Sequence, residues 1–402
     1  FRLRGREELM IKVNSSDLIK KISLVKKLIK SASKKSVPSY IKIKTDAEDM
    51  VLEVSDTSIY GRFVVDSVEG SLDQCIVQAQ SFCNTIGKLP KNSILFLENL
   101  DNRLAVTSGT IKFYFDEVPD DDFPIQPCFS DVVPLVLDAK CLKRAICLGN
   151  FVLPKSSDPY YVQFCNVLIS TNNYGFDVVA TDGVRMSLSE IKQEQNSDLY
   201  DNVTVLVPRN VASVLMDMEV DNGRDLFPSA TTDKEGSFLL SIGKNLTNMI
   251  STSSDSKEFL VFRQAESGFP NYESISNAEY KNFIKLDRTE LLKAVKECSA
   301  VACGDRDTLV MKINGTAIDL SLSSDIGSAS VSVSMKEYFF DDIEDGFVIP
   351  FCYKYVLDYL QNSCGDWIDI NFSDIKFAVG FHHSEKELEN FNYRYFLMPV
   401  TL

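Results

Sequence analysis

One pattern returns three times along the chain and restricts what it can fold into. Asp17, Asp138 and Asp287 each stand where a helix is expected to begin, because an aspartate side chain can accept the unpaired N–H groups of a first helical turn. The helices predicted from these points cover residues 18–33, 139–152 and 288–303. Each is followed by short runs of period two, which read as antiparallel strands, then by a second helix and further strands. First helices starting near 17, 138 and 287 lie 121 and 149 residues apart, and second helices starting near 78, 208 and 350 lie 130 and 142 apart. Such a recurrence predicts an α+β chain of three repeated domains, each with two helices backed by antiparallel sheets. The expected boundaries are 10–131, 132–282 and 283–402, with residues 1–9 an appended remnant or extension ahead of the first methionine. The surplus length of the second copy falls in the polar stretch 229–256, which reads as a surface insertion.

Within the first copy, residues 40–44, 50–54 and 59–65 alternate as strands, a helix over 78–89 is stopped by Pro90, and strands follow at 93–98 and 110–115. In the second, a strand over 160–170 precedes an apolar run that enters Asp182-Gly183, a pair suited to a tight primed turn, and leaves through Arg185, Met186 and Leu188. Arg185 is therefore held beside a hairpin turn, and a solvated arginine is the plain reading. A short helix follows Val207-Pro208-Arg209. In the third copy, Asn314-Gly315 marks a hairpin, 329–335 alternates, and a helix covers 351–362.

A net charge of −15 argues against a nucleic-acid partner until its distribution is considered. Residues 17–35 carry seven lysines and one aspartate, net +6, so the rest carries −21. On the first helix Leu18, Ile22, Val25, Leu28, Ile29 and Ala32 gather on one face, with Lys20, Lys27, Lys30 and Lys34 opposite. Lys140 and Arg144 mark the second copy's first helix, Lys293 and Lys296 the third copy's, and Lys88, Arg209 and Lys354 sit in or beside second helices. A lone stripe of this kind is a solvated face; repeated helix after helix in an acidic chain, it reads as a surface reserved for a polyanion.

The chemistry of an enzyme is not evident. The two histidines, His382 and His383, are adjacent and expected in a late loop, which suits neither a nucleophilic set nor a metal cage. No Gly-x4-Gly-Lys-Ser/Thr loop occurs, so ATP hydrolysis is not expected. No cofactor and no metal are expected. The rival readings are a metal-dependent nuclease or hydrolase built on Asp120, Asp121 and Asp122 with Asp182, and a β-rich interaction protein without a DNA role. Ten cysteines scattered through apolar stretches, without Cys-x-x-Cys, read as buried thiols in a reducing compartment. With no apolar run near the roughly 20 residues that span a bilayer, a soluble cytoplasmic protein without membrane partners is expected.

Four short motifs add a resemblance. Ala180-Thr181-Asp182-Gly183-Val184-Arg185, the strand-to-helix joint Val207-Pro208-Arg209, Phe269-Pro270-Asn271-Tyr272 and the closing Met398-Pro399-Val400-Thr401-Leu402 resemble, in order, segments of the bacterial DNA polymerase processivity clamps, the beta subunits of DNA polymerase III. The resemblance covers residues 10–402. It implies a non-catalytic homodimer, head to tail, in which each chain forms half of a ring around duplex DNA. It implies as partners the replicative polymerase, a clamp loader and other proteins carrying a clamp-binding motif. It also implies a peptide groove formed by Val162, Thr181, Gly183, Arg185 and Met186, by Pro270 and Ile275, and by Tyr355, Phe396, Leu397, Met398 and Pro399. An interface is implied between Phe113 and Phe115 on a first-domain edge strand and Val301 and Ala302 after the third domain's first helix. Tyr160 and Tyr161 match a tyrosine pair that touches DNA. The sequence departs from the family pattern at Val184, Ser274, Cys352 and Thr401, which implies a groove that keeps an apolar floor and loses polar rim.

Overall fold

The computed structural model describes residues 10–29, 39–55, 58–66, 68–125, 134–154, 164–193, 202–220, 237–242, 247–252, 257–264, 268–341, 343–383 and 390–401. Their order is strand, helix, strands, helix, strands, three times over. The first copy runs β1 Met10–Asn14, α1 Ser15–Leu28, β2 Tyr40–Asp46, β3 Asp49–Ser55, β4 Ile59–Val65, β5 Glu69–Gly70, β6 Cys75–Gln78, α2 Ala79–Ile86, β7 Ile94–Leu100, β8 Arg103–Ser108 and β9 Ile111–Asp116. The second runs β10 Leu135–Asp138, α3 Ala139–Asn150, β11 Asn166–Asn172, β12 Gly175–Thr181, β13 Arg185–Lys192, β14 Thr204–Pro208, α4 Arg209–Leu215, β15 Ser237–Ile242, β16 Thr247–Ser251 and β17 Phe259–Arg263. After a single turn, α5 Glu273–Ser276, the third runs β18 Asn282–Asp287, α6 Arg288–Ser299, β19 Thr308–Asn314, β20 Ala317–Ser324, β21 Gly327–Ser334, β22 Glu337–Phe339, β23 Val348–Cys352, α7 Tyr353–Asn362, β24 Trp367–Phe372, β25 Val379–His383 and β26 Phe391–Leu397. First helices start at 15, 139 and 288, 124 and 149 residues apart; second helices start at 79, 209 and 353, 130 and 144 apart.

Each helix except α5 grows directly out of a strand. At α6 the expected cap is present: Asp287 accepts the Glu290 N–H at 2.8 Å. At α1 it is not Asp17 but Asn14 that caps, accepting the Ser16 N–H at 2.8 Å, so the helix starts earlier than expected and leaves Asp17 in its first turn. It closes at Leu28, with Ile29 extended and bonded back to Val25 at 3.2 Å. Leu18, Ile22, Val25 and Leu28 are all buried, against β4 and α2, and each such burial is worth about 1.5–3 kcal/mol. Helix α2 is shorter than expected, closing at Ile86 before the turn that leads to Pro90, while β5, β8, β22 and α5 were not foreseen.

Two compact units emerge. One comprises residues 1–140 and 210–266 and contains a five-stranded sheet, β5-β1-β7-β8-β9, and an eight-stranded sheet, β10-β15-β16-β17-β4-β3-β2-β6. Two strands of the larger sheet, β15 and β16, occupy the stretch expected as a surface insertion, and Phe238, Leu240 and Ile250 there are fully buried. The other unit comprises 141–209 and 267–402 and contains a nine-stranded sheet, β14-β11-β12-β13-β26-β25-β24-β18-β22, and a four-stranded sheet, β21-β20-β19-β23. The Asn314-Gly315 hairpin forms as expected, with Gly315 at φ +57.

Five cysteines, Cys75, Cys83, Cys141, Cys298 and Cys352, are buried as expected. Cys147 and Cys303 are exposed, because each falls on the solvent side of its helix or turn, and Cys128 lies outside the described residues.

Candidate functional site: a turn-anchored arginine and the lysine-bearing helices

The organising hairpin joins β12 to β13, which pair with Thr181 opposite Met186, and β13 pairs in turn with β26, Arg185 opposite Leu397. Its loop is one residue further along than Asp182-Gly183 suggests. The Asp182 N–H reaches the Arg185 carbonyl at 3.3 Å, so Gly183 and Val184 are the central pair, and Gly183 supplies positive φ (+89) at the first central position. Asp182 then serves the turn: its carboxylate accepts the N–H groups of Val184 at 3.0 Å and Arg185 at 2.9 Å. Thr181 closes the other side, donating its hydroxyl to the Arg185 carbonyl at 2.8 Å.

Arg185 is not the solvated arginine of the plain reading; it is 8% exposed. Its Nε donates to Asp182 at 3.0 Å, Nη1 to Asp358 of α7 at 2.8 Å and Nη2 to the Phe151 carbonyl at 2.8 Å. The guanidinium also lies 4.1 Å from the Tyr355 ring centre. A permanently charged group is tolerated in this place because two carboxylates and a carbonyl satisfy its fork. Arg185 is thus a structural rivet between the hairpin and α7.

Strand alternation divides the expected groove residues. Cross-strand partners share a face, so Thr181, Met186, Phe396 and Gly380 form one row, while Arg185, Leu397 and Val379 form the adjacent row on the opposite face. Arg185 and Leu397 therefore cannot line a groove with Met186 and Phe396. On the Met186 face the 268–280 segment forms a wall: Tyr272 donates to Asp177 of β12 at 3.2 Å, and Arg394 of β26 donates to the Ser276 carbonyl at 2.7 Å. A side chain at Gly380 would meet Tyr280 at 3.0 Å, so Tyr280 covers this row, a residue no motif had indicated. Met186, Phe396 and Leu397 are core, at 3% exposure or less. What remains accessible is Pro270, exposed, with Ile275, Tyr355, Met398 and Pro399 half-buried. The tail is tied down by Met398 N–H to the Val184 carbonyl at 3.0 Å and Val400 N–H to the Pro350 carbonyl at 2.9 Å. Val162 lies outside the described residues.

Beneath this wall, Asp177 and Glu190 face each other across β12 and β13. Glu190 is held by Arg394 at 2.7 Å and Asn392 at 2.6 Å. Burial, then the nearby Glu190 charge, pushes the Asp177 carboxyl up to about 6.

Among the basic residues, Lys20 and Lys27 stand on the outer side of α1, paired with Glu219 and with Asp217, the latter at 2.6 Å. Lys30, Lys34, Tyr160 and Tyr161 lie outside the described residues. Lys88, Lys140, Lys293 and Lys296 are exposed, and Lys293 has a distant partner in Glu297 at 3.9 Å. Lys354 is paired with Asp305 at 2.5 Å. The two arginines are spent on carbonyls: Arg144 reaches that of Asn362 at the end of α7 at 3.1 Å, and Arg209 that of Pro154 at 2.7 Å. Both hold a carbonyl at or just beyond the end of a helix in their own unit, a duty the fork of arginine suits well.

The residues expected at an interface lie at sheet edges. Phe115 is buried against Phe82 at 5.2 Å and Phe113 is half-buried, both on β9, the last strand of the five-stranded sheet. Val301 and Ala302 are half-buried, and the Val301 carbonyl accepts the Ser324 hydroxyl beside β21, the edge of the four-stranded sheet. Two of the four carboxylates of the nuclease reading are otherwise engaged: Asp120 pairs with Lys42 at 3.0 Å, and Asp182 holds the turn and Arg185. Among the described residues no group of three or more potential ligands is placed to hold a metal, and no helix is long and apolar enough to cross a membrane. His382 and His383 lie on β25 rather than in a loop, and burial takes His382 down to about 4.

Residues 9–127 match the family described as DNA polymerase III beta subunit, N-terminal domain. Along nearly its whole length the chain is similar to the beta sliding clamp of Synechocystis sp., 22% identical over 400 residues, covering 96% of this chain and 98% of that one. It is also similar to that of Helicobacter pylori strain J99, 21% identical over 399 residues, covering 98% and 100%. In fold it is similar to the DNA polymerase III beta subunit from Thermotoga maritima, with a TM-score of 0.79 at 20% identity over 98% of this chain and 99% of that one. The Bacillus subtilis sliding clamp gives 0.78 at 17% identity, covering 98% and 100%.

Proposed function

We propose that the chain is a DNA polymerase III beta subunit, a non-catalytic processivity factor, and works as a sliding clamp: a head-to-tail homodimer that closes around duplex DNA and tethers the replicative polymerase. The observation that carries this reading is the threefold element order with exposed lysine in every copy: Lys20 and Lys88 in the first, beside the half-buried Lys27, Lys140 in the second, Lys293 and Lys296 in the third. Repetition of one unit presents the same helix pair three times, and lysines on those helices supply non-directional attraction to phosphate without reading sequence. The domain limit at 131/132 lies between β9 and β10, whereas that at 282/283 lies one residue inside β18, so a limit just before Asn282 suits this reading better. So do the two open strand edges, β9 and β21. Pairing β9 of one copy with β21 of the next would extend the five-stranded sheet by four strands and satisfy both edges, and a heterologous contact of this kind closes into a ring when its rotation allows.

The peptide site is proposed on the accessible residues around the tail, Pro270, Ile275, Met398 and Pro399, with Tyr355 on the far side of the hairpin. An apolar patch bounded by the exposed backbone of Gly183 and Val184 accepts leucine and phenylalanine side chains of a short linear motif. The chain has no phosphate-binding loop, so opening the ring falls to a separate ATP-driven loader.

The test is the particle itself. Two chains of 45.1 kDa make a particle of about 90 kDa by sedimentation. Loaded on nicked circular DNA, it is retained until the circle is cut and then runs off. A 45.1 kDa monomer at micromolar concentration, or equal retention on linear DNA, refutes the proposal.

A further inference from the structure

Lys20 and Lys27, the two best-placed cations of α1, do not face solvent alone. Lys20 pairs with Glu219, and Lys27 with Asp217 at 2.6 Å and with the Ser213 carbonyl of α4 at 2.8 Å. All of these residues belong to the same compact unit. The two acids are presented by the chain that leaves α4. Asp217 and Met218 both donate their N–H groups to the Val214 carbonyl at 2.9 Å, which turns the segment off the helix end. Met218 is then fully buried, and its neighbours on either side, Asp217 and Glu219, are left exposed. The buried methionine fixes the strap, and the strap holds two carboxylates against two lysines that lie seven residues, about 10.5 Å, apart along one side of a helix.

We infer that Asp217 and Glu219 act as built-in phosphate mimics that compete with DNA for Lys20 and Lys27, and so set how weakly the protein holds the duplex; the inference rests on the sliding-clamp reading. Two features favour competition over a plain brace. The pairs are exposed, with side-chain accessibilities of 52% and 65% for Lys20 and Glu219 and 31% and 53% for Lys27 and Asp217, so water and salt screen them and they exchange readily. By contrast, the neighbouring Lys21 makes a pair with Glu258 at 2.5 Å that is only 12% and 11% exposed, and Glu258 also accepts the Val64 N–H at 2.8 Å. That buried pair fastens the helix to its sheet, so bracing is already provided. In each exposed pair one carboxylate offsets one lysine charge at rest, and each lysine that moves to a phosphate must leave its carboxylate first.

The measurement is the salt dependence of binding to a fluorescein-labelled 30-base-pair duplex by anisotropy, using the full-length protein and its Asp217→Asn/Glu219→Gln variant. Freeing two lysines raises affinity at 50 mM salt by about 2- to 20-fold, since exposed ion pairs hold by a small factor each. It also steepens the slope of log affinity against log salt by up to about 2, because each additional phosphate contact adds close to one released counterion. Adding Lys20→Gln and Lys27→Gln to the variant abolishes the gain, and neutralising two exposed acids elsewhere, Glu98→Gln/Asp101→Asn, changes net charge equally without reproducing it; an equal gain there overturns the inference. If the wild type binds and the acid variant has the same affinity and slope, the strap is a brace and the inference is overturned. A lower urea midpoint in the variant without tighter binding overturns it equally. A wild type with no signal at 25 mM salt overturns the DNA reading itself, and the inference with it.

Discussion

Replacing Arg185 with methionine, which keeps the length of the side chain and removes its fork, should cost the fold rather than only a binding surface. The guanidinium makes three hydrogen bonds of 2.8 to 3.0 Å, two of them to carboxylates, and is 8% exposed. Removing one member of a buried charge pair costs about 3–5 kcal/mol, because the partners left behind, here Asp182 and Asp358, remain desolvated without a counter-charge. Asp358 is 29% exposed and recovers part of that loss through water; Asp182, at 11%, does not. For a unit of roughly 200 residues, each kcal/mol moves Tm by about 2–4 °C, so the transition containing β12, β13 and α7 should fall by about 6–20 °C in calorimetry. Arg185→Lys should recover little, since an ammonium can neither span Asp182, Asp358 and the Phe151 carbonyl nor stack flat on Tyr355. A Tm within 2 °C of wild type for Arg185→Met would refute the rivet, and if peptide affinity alone were lost, Arg185 would be a binding residue after all.

Three further outcomes are expected. Asp177 titrates near 6 in the fold against 3.8 in the free side chain, so the native state binds more protons than the unfolded state between about pH 4 and 6 and loses stability as pH rises through that window. Asp177→Asn should therefore gain stability at pH 7.5, by at most about 3 kcal/mol, and none at pH 4; a Tm difference from wild type that does not change between these two pH values would refute this. Met398→Ala should weaken a leucine- and phenylalanine-containing polymerase-tail peptide by roughly 1–3 kcal/mol in calorimetric titration, and unchanged affinity would place the site elsewhere. Burial pushes the Cys75 and Cys83 thiols up to about 12, so a thiol reagent at pH 8 should label the exposed Cys147 and Cys303 within minutes and spare Cys75 and Cys83 until the protein unfolds. Equal labelling rates would contradict the packing of α2.

Local chemistry told the repeat and much of the α1 core; distance in the chain hid the rest. The helix starts, the Asn314-Gly315 hairpin and the burial of Leu18, Ile22 and Val25 follow from caps, turn residues and period. Asn14 was missed as a cap because Asp17, three residues on, offers the same acceptor, and only the pairing of β1 with β7 decides where the strand stops. The fate of Arg185 depends on Asp358, 173 residues away, which no local pattern reveals. The division of the expected groove residues between two faces is local: Arg185 and Met186 are neighbours in one strand, and neighbours in a strand point to opposite faces. The wall residue Tyr280 left no signal at all, because what places it is a glycine opposite, Gly380, on a strand a hundred residues later.

The distribution of cations bears on how a clamp holds without gripping. Arginine binds phosphate through two parallel hydrogen bonds and fixes orientation, whereas lysine offers a point charge on a flexible stem. Here both arginines expected at the DNA surface, Arg144 and Arg209, are spent on carbonyls within the fold. The lysines are left facing out, and four of them have acidic partners: Lys20, Lys27, Lys293 and Lys354. A contact made of such residues has no preferred register along the duplex, and every step costs only the exchange of one weak pair for another. On the proposed sliding-clamp reading, retention would come from closure of a ring and not from affinity, which reconciles a net charge of −15 with a DNA partner.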